Sequence, residues 1–127
     1  MIFGIGLDLL NMTRVERLFD RYGDRFVEHV LTDEENLQFR AARRKIHYLA
    51  TRFSGKEAIA KALGTGLRSP VTLHSISIIS SELGKPDLFF DFKLKQHLAD
   101  NKIGPIFVSF SHEGDMLSAY AIAESLG

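Results

Sequence analysis

Apolar and polar positions alternate over the first ten residues. Phe3, Ile5, Leu7 and Leu9 fall on one face and Gly4, Gly6 and Asp8 on the other, the two-residue period of a β-strand. Glycines inside a strand weaken it and often mark a close approach by a ligand or another backbone. The period then lengthens. Asn11 or Thr13 can cap a helix over about Met12–Arg21, which Gly23 ends. Thr32 and Glu35 form a capping box, with Asp33 and Glu34 suiting the positive end of the helix that follows. That short helix reaches about Arg40, and a long one or a continuation runs from about Ala41 to Leu63, with Gly64 at the C′ position.

The second half returns to strand patterns. "VTLHSISIISS" alternates and is β-branched, "ELGKPD" is a turn, and "LFFDF" starts a second strand. "KLKQHLADN" has the period of a short amphipathic helix. "PIFVSFSH" and "MLSAYAIAE", joined by "EGD", read as a hairpin. The order predicts an α+β fold, a mainly antiparallel sheet packed against a long central helix, in one domain spanning 1–127.

Composition narrows the function classes. The chain has 127 residues, 45% apolar and 25% charged, the balance of an ordinary globular domain. Without cysteine it has no disulfide frame, thiolate nucleophile or Cys-ligated zinc. Its zero formal net charge argues against a nucleic-acid binder. No apolar run approaches a membrane span and "MIFGIGLDLL" lacks the features of a signal peptide, so a cytoplasmic location is expected.

One residue of the long helix stands out. Ile46, Leu49, Ala50, Phe53 and Ala60 share a face, and Glu57 falls in the middle of it. A carboxylate in an apolar stripe is costly unless a positive group meets it. Pairing with Lys61 at i+4 is one reading. The other is functional: Lys56 and Lys61 flank Glu57 on a helix apolar nearly all round, so the three charges are expected to share a half-buried pocket. Asp8, on the glycine face of the first strand, either caps the following helix or projects into the same space. Two carboxylates with two lysines suit a magnesium ion and the phosphates of a substrate. His112, at a strand end before the hairpin turn, reads as a surface residue or as a phosphate contact. His29, His47, His74 and His97 have no evident partner in the sequence. Arg14, Arg17 and Arg21 share one helix face, either a solvated surface or a stripe for an acidic partner.

These stretches resemble a known family. "IFGIGLDLLNMTRVERL" is similar to the opening Gly-Ile-Gly-x-Asp motif of the holo-acyl-carrier-protein synthases, the small class of phosphopantetheinyl transferases. "RFSGKEAIAKALGTG" resembles their second motif, and "GKP" at Gly84–Pro86 and "VSFSHEGDMLSAYAIAE" resemble later landmarks. The likeness covers nearly the whole chain. It implies transfer of the 4′-phosphopantetheine arm of coenzyme A to a serine of apo-acyl carrier protein, with release of adenosine 3′,5′-bisphosphate. It implies that Asp8 and Glu57 bind Mg²⁺, that Lys61 contacts phosphate, and that Lys56 and Arg52 are further candidates. Gly64, Gly84, Lys85, Pro86 and His112 are implied in the nucleotide pocket, and Arg14, Arg17 and Arg21 in carrier-protein docking. It also implies a homotrimer with coenzyme A between subunits. Glu57 is the candidate acceptor of the serine proton.

Three positions depart from the family pattern. Ser54 and Gly55 stand where relatives commonly have alanines, and are expected to loosen the helix before Glu57. Thr13 stands where relatives can carry a basic residue. Two competing readings use the same residues: a coenzyme A or nucleotide-binding module indifferent to Mg²⁺, and a phosphatase or pyrophosphohydrolase acting on water.

Overall fold

A computed structural model describes all residues, 1–127. Strand β1 (Ile2–Asn11) leads directly into helix α1 (Met12–Tyr22), capped by the Asn11 side chain, which accepts from Thr13 N–H at 2.9 Å. Gly23, at φ +55°, turns the chain into α2 (Asp24–Val30). The sequence reading ended its helix at Gly23 and did not foresee α2. Seven residues are too few for helical periodicity to stand out, although Phe26, Val27 and Val30 bury one face. The predicted capping box is present on α3 (Asp33–Ala41), where Thr32 and Glu35 satisfy each other's backbone N–H groups.

The long helix is not continuous with α3. Ala42 is extended, and α4 runs from Lys45 to Ala62. The break has a side-chain cause: Lys45 Nζ donates to the carbonyls of Phe39, Arg40 and Ala42 at 2.8, 3.0 and 3.3 Å. A cation on the last carbonyls of a helix satisfies its orphan acceptors and its dipole.

Strands β2 (Ile76–Ser80) and β3 (Pro86–Phe90) form a two-stranded antiparallel sheet. A 3₁₀ turn, Leu73–Ser75, precedes β2, so the strand is shorter than its alternating pattern suggested. Helix α5 (Phe92–Asp100) then leads into the hairpin of β4 (Ile103–Glu113) and β5 (Met116–Ser125). A three-stranded sheet has the order β1-β5-β4, antiparallel throughout.

Helix α4 lies across this sheet and joins two cores. Its first half packs Tyr48, Leu49 and Ala50 with Val15, Phe26, Val30 and Phe39 of the preceding helices. Its second half packs Ala58, Ile59 and Ala62 with Ala119, Ala121 and Ala123 of β5 and Leu94 of α5. Each fully buried Leu or Ile contributes roughly 1.5–3 kcal/mol.

The glycine face of β1 sets how close α4 comes. A Cβ at Gly4 would lie 1.9 Å from the Ala62 carbonyl oxygen, and one at Gly6 1.8 Å from that of Ala58. Two residues of strand span about 6.7 Å and four of helix about 6.0 Å, so the two rows stay in step. The opposite face of the sheet is uncovered: Ile5, Leu7, Leu9, Phe107, Tyr120 and Ile122 are 40–67% exposed.

Candidate active site

The row that pairs Gly4 with Ala62 and Gly6 with Ala58 continues to Asp8 and Ser54. Ser54 Oγ donates to Asp8 Oδ2 at 2.7 Å. On the other side of that carboxylate, Lys61 Nζ donates to the Leu7 carbonyl at 2.9 Å and stands 3.4 Å from Asp8 Oδ1. Ser54, Glu57 and Lys61 recur at i, i+3 and i+7, one face of α4 turned toward the end of β1. The structure thus brings Asp8, Glu57 and Lys61 together, as expected from the sequence.

Glu57 is half-buried and makes no hydrogen bond or ion pair within the protein. Its carboxyl ionises above the ordinary glutamate range, first because burial disfavours the charge and then because Asp8 is beside it; Lys61 and Arg14 act in the opposite direction. No cluster of three or more potential acidic or imidazole ligands exists. Two hard oxygen donors, one of them unpartnered, fit a cation that completes its shell with water and substrate phosphate. They do not form a closed protein cage.

Two predicted phosphate contacts lie elsewhere. Lys56 does not join Glu57: its ammonium is fully buried on another side of α4. It donates to Glu35 Oε1 at 2.6 Å and to the Val30 and Leu73 carbonyls at 2.8 Å each. The 100° step between consecutive helix residues carries it from the sheet side into the helical core. Arg52 is likewise a buried scaffold residue. Its guanidinium donates to the Ile78 carbonyl, Thr51 Oγ1 and Ser80 Oγ, and stacks 3.8 Å above the Tyr48 ring.

The remaining predicted residues occupy separate places. Gly64 ends α4 at φ +77°, its N–H donating to the Lys61 carbonyl. Gly84 turns the β2–β3 hairpin at φ +82°, with Lys85 exposed and Pro86 opening β3. His112 packs edge-on against His47, ring centroids 5.1 Å apart, so His47 has a partner the sequence did not reveal. His47 titrates below its ordinary value because of burial and then the charges of Arg44, His112 and Arg52. Ten residues separate His47 from Glu57, about 15 Å along α4. One chain therefore offers two corners, an acidic pair with Lys61 and a basic pair of histidines with Arg44, well apart.

Arg14, Arg17 and Arg21 are exposed on α1 and pair with no carboxylate. Beside this helix a cavity of about 380 Å³ is lined by Leu18, Tyr22, Arg25, Phe26, His29 and Phe53. Phe53 lies one turn before Glu57 on the same face. A larger groove of about 860 Å³, between α2–α3 and β2–β3, contains none of the predicted residues.

Residues 4–123 match the family model of the 4′-phosphopantetheinyl transferase superfamily. The chain belongs to this superfamily. It is 43% identical over 124 residues to a holo-[acyl-carrier-protein] synthase of Neisseria meningitidis serogroup A, covering 98% of this chain and 99% of that protein. The crystal structure of holo-[acyl-carrier-protein] synthase from Neisseria meningitidis superposes with a TM-score of 0.94 at 41% identity, covering 98% of this chain and 100% of that one. A holo-(acyl-carrier-protein) synthase from Bacillus anthracis, in complex with CoA (3′,5′-ADP), superposes with a TM-score of 0.82 at 30% identity, covering 98% of each chain. The α+β fold of this transferase family is thus established for the chain, and the resemblance read from its motifs holds.

Sequence reasoning missed Ser54, His47 and the apolar cavity beside α1. Ser54 had a signal: Ser54, Ala58 and Ala62 form a small-residue row at i, i+4 and i+8, matching Gly4, Gly6 and Asp8 in reverse. Helix α4 runs unbroken through Ser54 and Gly55. A Cβ at Gly55 would lie 2.7 Å from Ile78 Cδ1 and 3.0 Å from Phe110 Cζ, so the glycine admits tight packing against the helix.

Proposed function

We propose that this chain is a holo-[acyl-carrier-protein] synthase, which moves the 4′-phosphopantetheine arm of coenzyme A to a serine of apo-acyl carrier protein. The observation that carries the reading is the half-buried, unpartnered Glu57 beside Asp8 and Lys61, in a chain of this family. The serine oxygen forms a bond to the pantetheine-side phosphorus. The bond from that phosphorus to the bridging oxygen breaks, and adenosine 3′,5′-bisphosphate departs. Glu57 takes the serine proton. Lys61 places a positive charge where the pyrophosphate oxygens gather charge. Asp8 and Glu57 would hold Mg²⁺, which when bound supplies further charge neutralisation at the pyrophosphate.

The carrier protein docks on α1. Arg14, Arg17 and Arg21 attract acidic residues, and the cavity at Leu18, Phe26 and Phe53 accepts apolar side chains from the same partner helix. Arg14 is near enough to bias Glu57, so a partner on this stripe delivers its serine beside the acidic pair.

The active unit is a homotrimer of this one-domain chain, with coenzyme A between subunits. The uncovered apolar sheet face supports association, since patches of this kind mark interaction surfaces. The separation of the two corners supports a shared ligand: the acidic pair of one subunit holds the pyrophosphate, and the His47–His112 corner and the Gly84–Pro86 turn of its neighbour take the nucleotide. No helix is long and apolar enough to cross a membrane, and a cytoplasmic location accords with the substrates.

Intact-protein mass spectrometry of an apo-acyl carrier protein, incubated with this protein and coenzyme A, tests the reading. The expected result is one added phosphopantetheine arm, lost with chelator. No addition to several carrier proteins, with coenzyme A still bound, would favour a binding module. Coenzyme A consumed without a carrier would favour a hydrolase.

A further inference from the structure

Ser54 is a fully buried hydroxyl in the middle of α4. A serine there is locally unfavourable, because alanine is the better helix former and a buried hydroxyl needs a partner. Serine hydroxyls within helices commonly turn back to a carbonyl three or four residues earlier. Thr51 of the same helix does so, donating to the Tyr48 carbonyl at 2.8 Å. Ser54 instead donates across to Asp8 Oδ2 at 2.7 Å, 46 residues away in sequence.

That bond fixes one oxygen of the Asp8 carboxylate. Lys61 Nζ is 3.4 Å from the other, so Asp8 is gripped unequally from two sides by residues of the helix that carries Glu57. The matched rows of β1 and α4 set Ser54 opposite Asp8 as Ala58 is set opposite Gly6. Resting on the reading that Asp8 and Glu57 bind a divalent cation, we infer that Ser54 is a positioning residue for that site. Its hydroxyl holds Oδ2 and leaves Oδ1 turned toward the space shared by Glu57 and Lys61. An alanine at this position has no hydroxyl and cannot do this.

The test is direct Mn²⁺ binding, followed by electron paramagnetic resonance on the full-length protein, with Ser54→Ala, Glu57→Gln, Asp8→Ala and the Asp8→Ala, Ser54→Ala double variant. Alanine is smaller and helix-favouring, so Ser54→Ala folds, and circular dichroism checks this. Ser54→Ala is expected to weaken Mn²⁺ affinity about tenfold, the low end for partners that orient metal ligands. Coenzyme A affinity in chelator should stay unchanged. In the Asp8→Ala background, removing the hydroxyl should change nothing further, because Ser54 acts through Asp8. Wild-type affinity in Ser54→Ala, with Glu57→Gln weakened, would overturn the role of Ser54 alone. An equal loss with and without Asp8 would reduce Ser54 to a packing residue. Wild-type affinity in both Glu57→Gln and Asp8→Ala would remove the metal site itself, and the inference with it.

Discussion

Two charged regions meet on consecutive residues of α4 and differ in how far their charges are satisfied. Lys56 points into the helical core. Its ammonium meets a carboxylate and two carbonyls, while Glu35 also accepts from the N–H groups of Thr32 and Ile78 at 2.9 and 2.8 Å. Glu57, one residue on, faces β1. It has a second carboxylate for a neighbour and no hydrogen-bond partner of its own. A charge satisfied on all sides ties elements together, here α3, α4, β2 and the segment before β2. A charge left unsatisfied in a half-buried place destabilises the free protein and suits a ligand or a proton. Family motifs place both residues in one word of sequence, but the physics gives them different work.

The largest expected effect lies on the satisfied side. Lys56→Met leaves Glu35 buried without its cation and should cost about 3–5 kcal/mol of stability. Urea denaturation checks the loss, and adding Glu35→Gln to the same chain should recover part of it. Turnover per folded molecule should change far less than stability. A Lys56→Met protein with wild-type stability and lost coenzyme A binding would reverse the assignment and return Lys56 to the substrate.

Glu57→Gln should show the opposite pattern. Turnover should fall about 100-fold or more, close to 2.7 kcal/mol of barrier, while the fold persists. Its pH behaviour has a definite sign. The folded chain holds the Glu57 proton to higher pH than the unfolded chain does, so this group's contribution to stability declines as pH rises through its raised folded value. In chelator, the glutamine variant should lack that decline. Added Mg²⁺ should raise the melting temperature of the wild type and leave the variant's unchanged, since a ligand stabilises only the state that binds it. Equal Mg²⁺ stabilisation of both proteins would take Glu57 out of the cation site.

The same contrast explains what could be read from the sequence. The strand with Gly4, Gly6 and Asp8 was legible because its period and its glycines are local features, and Glu57 was legible because it interrupts an apolar stripe. The capping box at Thr32 and Glu35 was legible for the same reason. The second duty of Glu35, as the buried partner of Lys56, was not, because 21 residues and a change of element separate them. The break before Lys45 has no glycine or proline to announce it, being made by a lysine reaching back over three carbonyls. Ser54 and His47 belong to this second kind: their partners, Asp8 and His112, come from distant strands.

The smallest expected effect concerns the basic corner. His47 titrates below its ordinary value because of burial, Arg44, His112 and Arg52. Between that lowered value and the ordinary one, the unfolded chain binds a proton that the folded chain does not. This contribution to stability is therefore present above the ordinary histidine range and is lost as pH falls through the window below it. A phosphate group placed beside His47 and Arg44 would reverse the balance and draw a proton onto the ring. Coenzyme A should then bind about threefold more tightly at pH 6 than at pH 7.5, a change near 0.7 kcal/mol. Calorimetry in two buffers of different ionisation enthalpy should register proton uptake on binding, and His47→Ala should reduce it. Uptake unchanged in His47→Ala would place the nucleotide's phosphate away from this corner and leave the two histidines as a packing contact between α4 and β4.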